Sequence, residues 1–385
     1  MTNINKLTTW LETRFCTPAY SGWVLFGLAI CFFGAATNTM AGWLYVLSGL
    51  ISALLIIGAI LPVRSLRHLT ISRLPISPVT AGDDLIITLA LDNPTSDHKT
   101  LLQIEDQIPL VLGKPYTQAI EVIQPQSQYQ WVYYLPTQRR GVYQWQDVNL
   151  RTGTPLGLFW CRRQQEIPAA SAIVYPTVLS LQQCPIIDSI GQDDNIQFQS
   201  DYRAAKATEG VTRNLRPYHY GDPMRMIHWR TSAKLGEFKI KELEVMTGSE
   251  DIVITLDSAS TWNKDIFERA VIAAASLYFY AQQRQMNVKL WTAQTGLIFG
   301  NSYVLSTLAA VETQEEAKYS IPFTSPLILL TSNTTHLSSL LDNSRWILFT
   351  EPETTQPILT RHLKGLIINP EEDLQQQLQI FSGIT

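Results

Sequence analysis

Residues 20–63 read YSGWVLFGLAICFFGAATNTMAGWLYVLSGLISALLIIGAILPV, without a single charged side chain. The run divides into two apolar stretches, 20–36 and 41–63, joined by the polar turn Thr37-Asn38-Thr39. Each stretch is near the ~20 residues that carry a helix across a ~30 Å hydrocarbon core. A turn this short makes the two helices antiparallel neighbours. Trp23, Trp43 and Tyr45 are available for interfacial belts, and Gly27, Gly34, Gly42, Gly49 and Gly58 would let the pair pack closely. A cleaved signal peptide is the rival reading, because Lys6 and Arg14 precede the first run; the longer second run argues against it.

Charge sets the expected orientation. Lys6 and Arg14 precede the first span, Arg64, Arg67 and Arg73 follow the second, and the turn between them has no basic residue. The positive-inside rule then puts both ends in the cytoplasm. The expectation is a two-helix protein of the bacterial inner (plasma) membrane, meeting lipid through the hairpin, with everything beyond residue 64 cytoplasmic. Cys16, Cys31, Cys161 and Cys184 contain no C-x-x-C pair, so the sequence reads as four unpaired thiols in a reducing compartment. With 29 basic and 33 acidic residues the chain is near neutral. It lacks the broad basic footprint of a nucleic-acid binder, and none is expected.

A chain of 385 residues exceeds one hydrophobic core, and its pattern changes twice after the hairpin region, 1–68. Between 69 and 176, short alternating segments (84–91, 101–104, 119–123, 129–135, 142–150 and 172–175) are separated by turn residues, which predicts an antiparallel β-sandwich. Trp131, Tyr133, Tyr143 and Trp145 recur with period two, so each pair shares a face suited to core or cross-strand packing. From 251 to 385 strands and helices alternate. Strands are expected at 251–256, 288–291, 327–330, 346–349 and 366–368, and helices at 265–284, 303–311 and 371–381. That alternation predicts a mostly parallel sheet covered by helices.

Between these domains lies a connecting segment, 177–250, with the densest functional chemistry. Residues 209–244 read EGVTRNLRPYHYGDPMRMIHWRTSAKLGEFKIKELE. The order Leu215-Arg216, Tyr218, Gly221-Asp222, Arg225, Ile227-His228-Trp229-Arg230 and Ser232-Ala233-Lys234 resembles the family called domain of unknown function 58. Arg140-Gly141-Val142-Tyr143, Pro155-Leu156-Gly157-Leu158-Phe159 and Val174-Tyr175-Pro176 resemble its upstream landmarks, with Thr154 where the family usually has Asp. The resemblance spans most of the chain. It implies a membrane-anchored protein with a von Willebrand factor A-like C-terminal domain. It also implies protein partners, among them a MoxR-type AAA+ ATPase and other von Willebrand factor A-like proteins, in envelope protein assembly.

Three physical readings of Arg216, Tyr218, Gly221, Asp222, Arg225, His228, Trp229, Arg230 and Lys234 compete: an ion network that locks a linker, a protein-docking surface rich in hot-spot residue types, and a site for an anionic ligand or nucleic acid. No Ser or Cys nucleophile with a third orienting group accompanies His228, so no enzyme activity is expected; a hydrolase centred on His228 and Asp222, or on Asp257, is an alternative. After the strand at 251–256, Asp257-Ser258-Ala259-Ser260-Thr261 occupies a ligand-binding place in an α/β sheet. It resembles the Asp-x-Ser-x-Ser metal-ion-dependent adhesion motif of von Willebrand factor A domains, with Ala259 and Thr261 at the hydroxyl positions. Asp257 and Thr261 are thus weak Mg²⁺ ligands, and capping of the turn by Asp257 and Ser258 is the competing role. No cofactor is expected. The sequence points first to a membrane-anchored adaptor or scaffold, and then to a metal-dependent adhesion module.

Overall fold

The computed structural model describes residues 16–189, 211–218, 224, 227–244, 251–322, 327–341, 344–350 and 365–380, excepting the side chains of 211–216, 241–244 and 251. The chain divides into two compact units, Met1–Pro176 and Thr177–Thr385.

The first unit starts with β1 (Thr17–Pro18) and two helices, α1 (Tyr20–Thr39) and α2 (Gly42–Leu66), both long and apolar enough to cross a membrane. On α2, Leu44, Ser48, Ile51, Leu55, Gly58, Pro62 and Leu66 turn inward, the three-and-four spacing that marks one helical face. On α1 the buried residues are Gly22, Ala29 and Ala36, each seven from the next. Ser48 Oγ donates to Ala29 O at 3.0 Å, which satisfies the hydroxyl between the helices. Of the five glycines expected to let the helices pack closely, only Gly58 is buried, and it meets Leu156 and Leu158. A Cβ on Gly27, Gly34, Gly42 or Gly49 would meet nothing within 4 Å, and Ala29 and Ala36 are the small residues buried on α1.

The rest of this unit is two facing sheets. One has the antiparallel order β2 (Thr70–Arg73), β4 (Asp84–Asn93), β7 (Ser127–Pro136). The other runs β1, β9 (Phe159–Tyr175), β8 (Gly141–Thr152), β5 (Lys99–Asp106), β6 (Tyr116–Ile123), with β3 (Val79–Thr80) parallel to β9. Leu85, Ile87, Leu89 and Leu91 of β4 face Leu102, Ile104 and Leu150 across the core. All four period-two aromatics join that core, Trp131, Tyr133 and Trp145 buried and Tyr143 partly so. Among them sits Asp106, fully buried. It accepts from Arg73 Nη2 at 2.7 Å, Tyr133 OH at 2.7 Å and Trp145 Nε1 at 3.1 Å. Burial, then the neighbouring Asp106 charge, pushes the Tyr133 phenol well above its ordinary pKa, so it stays a donor.

The cysteine expectation needs correcting. Cys16 and Cys161 form a disulfide with Cα atoms 4.6 Å apart. β1 pairs with β9 at Thr17↔Trp160, so the next rung sets Cys16 opposite Cys161. Their separation of 145 residues hid the pair from any local reading. Cys31 lies exposed on α1, and Cys184 is buried.

In the second unit the sheet order is β14 (Gly296–Ile298), β13 (Asn287–Thr292), β12 (Asp251–Leu256), β15 (Leu327–Thr331), β16 (Arg345–Phe349), β17 (Gly365–Ile368). All neighbours are parallel except the β13–β14 pair. Numbered from β12, this is the doubly wound order 3-2-1-4-5-6, whose switch point falls between β12 and β15. Both faces of the strands are buried, which explains their unbroken apolar sequences. Ile252, Ile254, Ile328, Leu330 and Ile347 face one side with α5 (Lys264–Gln283) and α6 (Asn301–Ala310), and Val253, Trp291, Leu329 and Trp346 face the other. The short helix α3 (Pro185–Asp188) belongs to the first of these cores. Cys184 N donates to Asp188 Oδ2 at 2.9 Å and to Tyr280 OH at 3.1 Å.

Candidate functional site

Two places in the second unit gather the residues singled out from sequence. The first is the switch point, where Asp257 follows β12 and is only 2% exposed. Its backbone N–H donates to Leu330 O at 3.0 Å. Its Oδ2 accepts from Ser260 Oγ at 2.7 Å and from Thr331 Oγ1 at 2.8 Å, and His336 Nδ1 stands 3.4 Å away. Ser258 Oγ is turned elsewhere and accepts from Ala293 N. Thr261, the other residue of the expected pair, bonds elsewhere. Its hydroxyl accepts from Gln314 Nε2 at 3.4 Å, and the hydroxyls that do reach Asp257 come from Ser260 and, 74 residues on, Thr331. Pairing of β12 with β15 through Leu256↔Leu330 brings Thr331 there.

A hard divalent cation takes six or more oxygen ligands. This place offers one carboxylate and two hydroxyls, both turned onto it, with an imidazole against the same oxygen. Among the described residues no group of three or more His, Cys, Asp or Glu is placed to hold a metal. The set does not fit Mg²⁺, and no chemical step is derived through one.

The second place is the connecting segment. β10 (Val211–Pro217) and β11 (Lys239–Glu244) pair antiparallel, and α4 (Trp229–Leu235) leads into β11. His228 caps α4, its Nδ1 accepting from Thr231 N at 3.2 Å. Ser232 Oγ donates to His228 O and accepts from Lys239 N. His228 N donates to Lys239 O at 2.8 Å. These bonds and the buried pair Ile227 and Ile240 hold α4 on the ribbon. A ring nitrogen spent on a helix cap is not free to take a proton from a nucleophile, so the geometry gives His228 a structural task.

What this scaffold displays is aromatic. Trp229 is 61% exposed and meets Phe238, 56% exposed, edge to face with centroids 6.1 Å apart. Tyr218 approaches the same ring at 6.2 Å, and its N–H donates to Phe238 O. Arg230, Lys234, Leu235 and Met224 are exposed as well. Phe238 and Leu235 were not singled out from sequence; the alternation of 237–242 sets Phe238 two residues before the buried Ile240, just ahead of β11. Arg216 lies in β10, paired with Ile240 through its backbone. Gly221, Asp222, Arg225 and the Arg216 side chain lie outside the described residues.

No protein-family model matches the chain, and no curated protein does. Among solved structures, the chain is similar to the CARDB domain of the PF1109 protein from Pyrococcus furiosus, at 10% identity and a TM-score of 0.19, over 28% of this chain and 94% of that one. A β-glucosidase from Listeria innocua gives 8% identity and a TM-score of 0.16, over 27% and 16% of the two chains. The alkylpurine DNA glycosylase AlkC from Pseudomonas fluorescens gives 11% and 0.18, over 39% and 44%. Scores this low carry no argument about fold or function.

Proposed function

We propose that this protein is a membrane-tethered adaptor whose exposed Trp229–Phe238 pair, backed by the half-buried Tyr218, docks a protein partner. The observation that carries the reading is an aromatic pair, Trp229 and Phe238, open to solvent on a firmly hydrogen-bonded base, beside Arg230 and Lys234. Trp, Tyr and Arg supply most interface hot spots. In this reading α1 and α2 span the bacterial inner membrane with both ends cytoplasmic, following the arginines beyond α2. A Cys16–Cys161 bond favours an oxidising compartment. This bond speaks against that orientation, and recovery of the pair from acid-quenched cells as a disulfide, alkylated only after reduction, would reverse it. The second unit is taken as von Willebrand factor A-like, supported by its strand order and by Asp257 at the switch point. The partner proposed from family resemblance is a MoxR-type AAA+ ATPase.

The test is affinity capture of the full chain from detergent-solubilised membranes, comparing wild type with Arg225→Ala/Trp229→Ala. An AAA+ ATPase recovered with wild type and lost with the folded double variant is the expected result. Retention of every partner by that variant would remove the docking role.

A further inference from the structure

The connection between β8 and β9, residues 153–158, does not lie in water beside the sandwich; it is built into the helical hairpin. Ala19 N donates to Leu158 O at 2.8 Å, and Ser21 Oγ donates to Gly157 O at 3.1 Å. A Cβ on Gly22 would collide with Leu158 O, and one on Gly58 would sit 3.3 Å from Leu158 Cδ1 and 3.6 Å from Leu156 Cδ1. The buried Leu158 side chain joins Ala29, Ile51 and Leu55 of the helices in one apolar cluster.

The depth of this contact matters. Arg64 is the first charged residue after the apolar run of α2, six positions beyond Gly58. At 1.5 Å per residue, Leu156 and Leu158 therefore touch α2 about 9 Å to the apolar side of that arginine. Irregular backbone survives at such a level only when its polar groups are satisfied within the protein. Here Gly157 N donates to Gly153 O at 2.7 Å, Thr154 N donates to Thr152 Oγ1, and Pro155 has no N–H to satisfy. The carbonyls of Gly157 and Leu158 are taken by Ser21 and Ala19. The residues the loop exposes are Pro155, Leu156 at 42%, and Gly157, none of them charged.

Arginines stand around this apolar tip. Arg64 in the last turn of α2 and Arg67 just beyond it are exposed, and the Arg151 guanidinium lies over the Trp160 ring at 4.4 Å. Arg163 Nη1 donates to Leu66 O at 2.8 Å, capping the last turn of α2 from the sandwich side. Apolar tip, tryptophan and arginines follow the order of acyl chain, interface and anionic headgroup.

We propose that the 153–158 loop is a third membrane element, which enters the bilayer beside the hairpin with Leu156 among acyl chains. It holds the β-sandwich flush against the lipid surface instead of on a stalk. The proposal rests on α1 and α2 being membrane spans. The test uses the full chain in lipid nanodiscs, with a bimane fluorophore at Leu156→Cys, at Leu110→Cys or at native Cys31. Leu110, 88% exposed, lies in the β5–β6 connection at the other end of those strands. Cys31 is replaced by Ser in the two variants. Quenching by nitroxide lipid, with loss of quenching by iodide, is expected at Leu156→Cys and at Cys31, and the reverse at Leu110→Cys. Iodide quenching at Leu156→Cys equal to that at Leu110→Cys, with Cys31 still lipid-quenched, overturns the loop alone. Iodide quenching at Cys31 overturns the hairpin reading and this proposal with it.

Discussion

The sandwich and the connecting segment both gather tryptophan, tyrosine and arginine, yet they use them in opposite ways. In the sandwich, Trp131, Tyr133 and Trp145 are buried around Asp106, whose carboxylate takes donors from Arg73, Tyr133 and Trp145. In the connecting segment Trp229 and Phe238 stay mostly exposed, and the hydrogen bonds run beneath them through His228, Ser232 and Lys239. Residue type alone does not separate the two roles. An aromatic enclosed with its polar partners specifies a core, whereas one left in water on an ordered base has its apolar area still to bury.

This contrast can be broken most severely at Asp106. Asp106→Ala leaves Arg73 a buried cation without its counter-charge, and a loss of about 3–5 kcal/mol is expected in denaturant unfolding. A loss under 1 kcal/mol would mean that the centre is not the lock described. The hairpin offers a second test. Gly22→Ala forces its methyl onto Leu158 O and is expected to cost about 1–3 kcal/mol, as overpacking does. Gly27→Ala, with open space around it, should leave the melting temperature in detergent unchanged. Trp229→Ala sharpens the contrast from the other side, with stability expected within about 0.5 kcal/mol of wild type while partner capture falls. The smallest effect is at Cys184, whose thiol burial pushes up to about 12. Stability from its neutral form is present in full below the unfolded thiol's pKa of about 8.5 and is lost as pH rises toward 12. At pH 8 a colorimetric thiol reagent should reach Cys184 only after unfolding.

Sequence periodicity located the hairpin, six of the sandwich strands and the α/β alternation, because each is a local pattern. It failed where the determinant is distant. β9 runs from Phe159 to Tyr175, but Arg162, Arg163, Gln164 and Gln165 interrupt its apolar pattern, and only 172–175 read as strand. Arg163 is polar there because it caps α2, and Arg162 because it pairs with Glu105 at 2.7 Å. Cys16 with Cys161, and Asp257 with Thr331, meet only through strand pairing across long separations. The glycine expectation failed for a different reason: composition says which residues permit close approach, and only the helix face says which of them are used. At the connecting segment the sequence named Trp229, Arg230 and Lys234, while Phe238, the ring both other aromatics contact, emerged only from the ribbon's geometry.

The central claim is that the Trp229–Phe238 face meets a protein. It is tested most directly by photo-crosslinking in living cells, with benzoylphenylalanine in place of Phe238 or, as comparison, of Tyr303, which is 59% exposed on α6. One discrete protein adduct of AAA+ ATPase subunit mass at position 238, absent at 303, is the expected result. The same adducts at both positions, or none at 238 in a chain of wild-type stability, would contradict it.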